Sequence, residues 1–264
     1  MTSRVSGLAA FKFLQELMKE KYSQSIESDP IYWVHQYSRP EDQELVAFIS
    51  ASLAFGQVKS IQQSVGKILK LLGPSPHQTL LNFEKKFSEK DFKELGHRWV
   101  RGRDLWCLCF MLQNILREKG RFKKYFFDFF KEEDLTIAPL LTCFSEDMKS
   151  RIPRPHRSRG VNYFFPSPAD GSPCKRLNMF LRWMVRPNDG VDLGLWPELG
   201  TQRLIIPLDT HLYQFAKKFK ISCFKNTSWK MAEELTGFLR QINPADPVSL
   251  DYLICHYGME KGWG

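Results

Sequence analysis

The sequence predicts an all-α protein of two helical lobes, on three observations. Apolar residues recur at helical spacing through most of the 264 positions, the one extended-looking stretch is Arg203 to Leu208, and the composition is 43% hydrophobic and 14% aromatic. Such a composition folds rather than stays disordered, and the length suits one large domain or two lobes with a real core. The sequence shows no internal repeat and no low-complexity tail.

The elements follow in order. A helix is expected over about 6–22. After Arg39-Pro40, the residues Leu45, Val46, Ile49 and Leu53 place a helix at 41–54, and a break near Gly56 precedes a second one faced by Val58, Ile61, Val65, Ile68, Leu69 and Leu72. Further helices are expected at roughly 90–96, 103–119, 121–131 and 137–150. Within 103–119, Cys107 and Cys109 stand among Leu105, Leu108, Leu112 and Leu116, so core packing is the expected role of at least Cys109. Residues 151–171 are a Pro/Arg/Ser-rich connector. Helices resume at 173–186, 210–219, 229–242 and 247–257, the last opened by Asp246 as cap and Pro247 as first position. Within a single unit over 1–264, lobe A covers about 40–150, and the second lobe, 172–264, follows the connector.

The net charge is +9, which suggests a polyanionic partner. Between Arg151 and Arg186 eight basic residues face one acidic residue, Asp170, so most of the excess is local. Tyr163, Phe164, Phe165 and Trp183 are interleaved there, the mixture that phosphate contact and base stacking require. A solvated basic loop is the plain alternative. Six cysteines, at 107, 109, 143, 174, 223 and 255, lack any C-x-x-C pair or ligand-spaced cluster, which argues against zinc, an iron-sulfur cluster or a disulfide framework. No cofactor or metal is therefore expected. With no signal-peptide pattern and no membrane-length apolar run, an intracellular, cytoplasmic protein is expected.

The most informative residue is Lys175. Ser172 reads as an N-cap and Pro173 as the first helical residue, so Lys175 falls in the first turn, where the helix dipole and unpaired amides repel cations. A locally unfavourable charge is a signal of function, and an amine is a competent nucleophile toward carbon. Leu177, Phe180, Leu181, Met184 and Val185 form the apolar face of this helix, with Lys175, Arg182 and Arg186 opposite. Met179, one turn beyond Lys175, could floor a pocket. Asp209 in Pro207-Leu208-Asp209-Thr210-His211 opens the next amphipathic helix as a good N-cap, and capping alone would explain it. Lys175 likewise has a plain reading as a solvated surface lysine.

These residues resemble the helix-hairpin-helix DNA glycosylase superfamily. Its lyase members place a nucleophilic lysine after the hairpin and an aspartate in a motif like Pro-Val-Asp-Thr-His, which Pro207 to His211 match closely. The nearest likeness is to archaeal 8-oxoguanine glycosylases, which also carry a long insertion between lysine and aspartate and no iron-sulfur cluster. Here the two lie 34 positions apart, with Asn188 to Leu204 between them. The run Cys174 to Arg186 with Val191 to Trp196 also looks like an uncharacterised bacterial family, a distant branch of these enzymes. The likeness covers about 40–258, with specific motifs confined to 171–212. One departure stands out: the usual hairpin Leu-Pro-Gly-Val-Gly is replaced by Pro168-Ala169-Asp170-Gly171-Ser172-Pro173, which puts the hairpin's phosphate contact in doubt.

The resemblance implies a helix-hairpin-helix glycosylase fold and a bifunctional DNA glycosylase and abasic-site lyase. The expected partner is double-stranded DNA with a damaged base, an oxidised purine such as 8-oxoguanine, bound by a monomer. Lys175 and Asp209 would be catalytic. Gln57, in a turn like the superfamily's wedge, together with Met179, Trp196 and Asp251, would meet the flipped nucleotide. Arg157, Arg159, Arg176, Arg182 and Arg186 would hold the backbone. Asp251 also reads as a plain helix-face acid, and Trp196 as a pin for the insertion. A non-catalytic nucleic-acid binder of the same fold, or a helical protein-interaction module, are the competing classes.

Overall fold

The computed structural model describes residues 2–19, 26–27 and 29–263. They are mostly helical and divide into two compact units. One unit comprises 26–133 with 138–167, and the other comprises 2–19, 134–137 and 168–263. The basic connector therefore sits mostly inside the first unit, and the N-terminal helix belongs with the second.

In the first unit, α2 (Pro40–Ser52) and α3 (Val58–Leu72) stand where the periodicity places them. Pro40 opens α2, where its missing amide costs nothing, and Gly73 closes α3 with a positive φ. Two short helices, α4 (Pro76–Leu81) and α5 (Phe83–Lys86), come next. The long α6 (Gly102–Lys119) buries Leu105, Leu108, Met111, Leu112, Ile115 and Leu116. Cys107 and Cys109 lie in the same core, and burial pushes the Cys107 thiol up to about 12. Phe48 of α2, Phe122 of α7 (Phe122–Phe127) and Phe144 of α8 (Ala138–Ser150) meet with ring centroids 4.8 to 6.4 Å apart, and Arg121 neutralises the buried Glu44 at 2.6 Å.

The helix expected at 90–96 is replaced by a 3-10 turn, Glu89–Phe92, and a hairpin in which β1 (Gly96–His97) pairs antiparallel with β2 (Val100–Arg101). A two-residue strand is too short to give a period. The connector is also more ordered than its composition implies. Asp104 accepts from the Arg101 amide at 2.8 Å and from Ser158 Oγ at 2.6 Å, and Ser158 caps α9 (Arg159–Tyr163).

In the second unit, α1 (Thr2–Leu17) contributes Phe13 to a ring cluster with Phe215, Phe219, Tyr257 and Trp263. The helices α10 (Lys175–Val185), α11 (Thr210–Lys218), α12 (Trp229–Arg240) and α13 (Asp251–Lys261) make its body, and α11 packs against α13. Gly258 of α13 has no Cβ because the His211 ring and the Trp263 indole occupy that space. The run 204–208 forms no strand, although its first residue, Leu204, is extended. Arg203 ends a 3-10 turn, and the buried run after it pairs with no strand; its Ile206 amide bonds to Thr236 Oγ1 at 3.0 Å instead.

Candidate active site

Lys175 is the first residue of α10, and the cap is Cys174 rather than Ser172. Cys174 has φ 47° and ψ 32°, a left-handed conformation uncommon for a residue with a side chain. The turn is held locally. Gly171, with φ 72°, donates to Pro168 O at 2.9 Å and its carbonyl accepts from Trp229 N at 3.0 Å; the Cys174 amide donates to Ser172 Oγ at 3.3 Å. Asn178 Nδ2 closes it on Pro173 O at 3.1 Å. Pro168–Asp170 is one 3-10 turn with Asp170 exposed, so a carboxylate stands at the turn that leads to the lysine.

Lys175 and Met179 are both half-buried. Asp209 has two tasks. Its Oδ1 accepts from the Leu212 amide at 2.8 Å as the cap of α11, while its Oδ2 accepts from the Cys255 thiol at 3.5 Å. The same sulfur lies 3.5 Å from Asp251 Oδ1, so one thiol stands between two carboxylates. Burial, then Asp251 and Asp209, drive the Cys255 thiol well above its ordinary value, and the Lys175 ammonium opposes them. Lys175, Asp209, Asp251 and Cys255 thus share one electrostatic neighbourhood. Cys255 was missed in the sequence; its signal was the four-residue spacing from Asp251 on one helix face.

Asp251 is 4% exposed, and its Oδ2 binds Arg182 Nη1 at 2.6 Å. Burial raises its carboxyl above the ordinary range and Asp209 adds to this, against the pull of Arg182. With one oxygen on Arg182 and the other on Cys255, it is held by the protein rather than presented to a purine.

The arginines of α10 are corrected likewise. Arg182 is 8% exposed and binds Asp192 at 3.3 Å as well as Asp251; Arg186 pairs with Asp192, with Asp246 at 2.8 Å and with Asp189 at 3.1 Å. Arg176 is 7% exposed. Buried charges must be paired, and for Arg182 and Arg186 the insertion supplies the carboxylate they share, Asp192, fully buried. These side chains are not on offer to a phosphate backbone. Trp196 is also fully buried, edge-on to Phe180 at 5.1 Å, where it pins the insertion. Phe164, Phe165 and Trp183 are core, so of the interleaved aromatics only Tyr163 is partly open. Gln57, Arg157 and Arg159 are exposed in the other unit, Gln57 at the start of α3.

A family model described as a protein of unknown function (DUF2400) matches residues 29–260, and the chain belongs to that family. No curated protein and no solved structure matches it.

Proposed function

We propose that the chain is a DNA-repair glycosylase of the helix-hairpin-helix type with abasic-site lyase activity, acting on an oxidised purine such as 8-oxoguanine. One observation carries most of the weight. A lysine placed first in its helix, after a left-handed cap, shares a cluster with an aspartate that has one carboxylate oxygen committed to a helix cap and the other turned to Cys255. Capping accounts for half of that carboxylate only.

In this reading the Lys175 amine attacks C1′ of a flipped-out deoxynucleotide, the bond from C1′ to the base breaks, and the base leaves with its electron pair and takes up a proton. Asp209 accepts the proton that the amine sheds and stabilises positive charge on the sugar. Ring opening gives a Schiff base between Nζ and C1′. Loss of a C2′ proton then expels the 3′ phosphate by β-elimination. Met179, half-buried one turn from the nucleophile, would meet the base. The α10 arginines take no part; their ion pairs fix the helix that carries Lys175.

Borohydride trapping on duplexes holding different lesions tests the proposal. A covalent complex that vanishes in Lys175→Gln is expected. If no lesion and no abasic site gives a complex while salt-sensitive binding persists, the chain is a binder and the lyase reading fails.

A further inference from the structure

The unit that lacks Lys175 carries an aromatic and basic ledge, and we propose that it is a stacking platform for the unpaired bases of single-stranded DNA. At the tip of the β1–β2 hairpin, Trp99 is 42% exposed, among the largest open aromatic surfaces of the described residues. Its ring packs on Phe55 at 4.8 Å and on Tyr163 at 5.1 Å, with Phe55 and Tyr163 also 4.8 Å apart. The Arg98 guanidinium lies over the indole at 5.1 Å. Three segments distant in sequence therefore converge on one partly open indole with a guanidinium beside it.

The ledge is a built structure. His97, buried beneath it, has Nε2 2.6 Å from Phe55 O and Nδ1 3.1 Å from Ser64 Oγ, and Ser64 Oγ lies 3.0 Å from Gly96 O. Asp104 ties the hairpin to Ser158. Arg98 is held at φ 55°, against its own preference, with its side chain against Gly56.

Charge selects the occupant. The segments 55–59, 96–103 and 157–163 carry six lysines and arginines, and the carboxylate that adjoins them, Asp104, is buried and taken up by the Arg101 amide and Ser158. Of these, Lys59, Arg98, Arg101, Arg157 and Arg159 make no ion pair among the described residues. An acidic protein surface would match the charge and could also take up an aromatic side chain, so polyglutamate is kept as the rival occupant in the titrations. Unpaired bases use both, the phosphates on the arginines and a base on the indole. This inference goes beyond the lyase reading and does not depend on turnover.

Anisotropy titration of the full chain with labelled oligothymidine, with inorganic polyphosphate as a base-free polyanion, tests it. Trp99→Leu should weaken oligothymidine binding by roughly 5- to 150-fold, while Trp99→Phe keeps most of the affinity. Polyphosphate should bind wild type and Trp99→Leu alike. Arg157→Ala with Arg159→Ala should reduce the salt slope by about 1.4 if both touch phosphate. Unchanged binding in Trp99→Leu, equal damage from Trp99→Phe, or a parallel loss of polyphosphate binding overturns the platform. So does a Trp99-dependent affinity for polyglutamate. Lys175→Gln, which should lose trapping, should keep the Trp99-dependent binding. The two proposals therefore fail separately.

Discussion

The two arginine-rich regions of this chain are built on opposite principles. On α10, Arg182 and Arg186 are turned inward and matched by Asp192, Asp246 and Asp251. Around the hairpin, Arg98, Arg101, Arg157 and Arg159 stand in solvent without carboxylates. By sequence the first group looks the better candidate for DNA, since it flanks Lys175. The difference shows that a run of positive charge is informative only with its counter-charges. The acids that neutralise Arg182 come from 10 and 69 positions away.

The comparison can be broken most forcefully at Arg182. Replacing it with alanine strands Asp251 in a buried site and leaves Asp192 with Arg186 alone, and a loss of about 3–5 kcal/mol is expected in denaturant unfolding. Arg157→Ala, on the exposed side, should change stability by less than about 0.5 kcal/mol. Equal losses at the two positions would erase the distinction. Next in size, Gly258→Ala forces a methyl into the His211 ring and the Trp263 indole and should cost about 1–3 kcal/mol, read as a lower unfolding midpoint.

A smaller effect should appear on the hairpin side as pH falls. Burial chiefly, with Arg98 adding, holds the His97 imidazole below its ordinary 6.5, against the bond to Phe55 O. A depressed folded value means that its contribution is full above 6.5 and is lost as pH drops through the folded value. Acidification should therefore lower the midpoint more in wild type than in His97→Gln, and identical pH profiles would remove His97 from the account. The smallest stability change is expected for Asp209→Asn, a few tenths of a kcal/mol, because asparagine caps about as well as aspartate. Activity should nonetheless vanish in the trapping and strand-cleavage assays. A variant that cleaves as wild type would reduce Asp209 to a cap.

The long helices were legible in the sequence because burial of one face leaves a period: Leu45 to Leu53 and Val58 to Leu72 needed no tertiary information. Lys175 and the cap at Asp209 were legible because they break or satisfy local rules. The fate of Arg182, Arg186 and Trp196 was not, since it rests on the insertion folding back to bring Asp192 beneath α10. Cys255 was hidden because a cysteine on a helix face looks like packing until its neighbours are known. The hairpin escaped because two-residue strands carry no pattern, and with it went the position of Trp99.

The second unit is threaded discontinuously. Phe13 of α1 packs on rings from 215 to 263, whereas most of 26–167 closes on itself. On a ribosome adding about 5–20 residues per second, α1 would wait roughly 10–50 s for its partners. The arginine-bearing unit would be complete first, and the lysine would be assembled only after both ends of its own unit had been made.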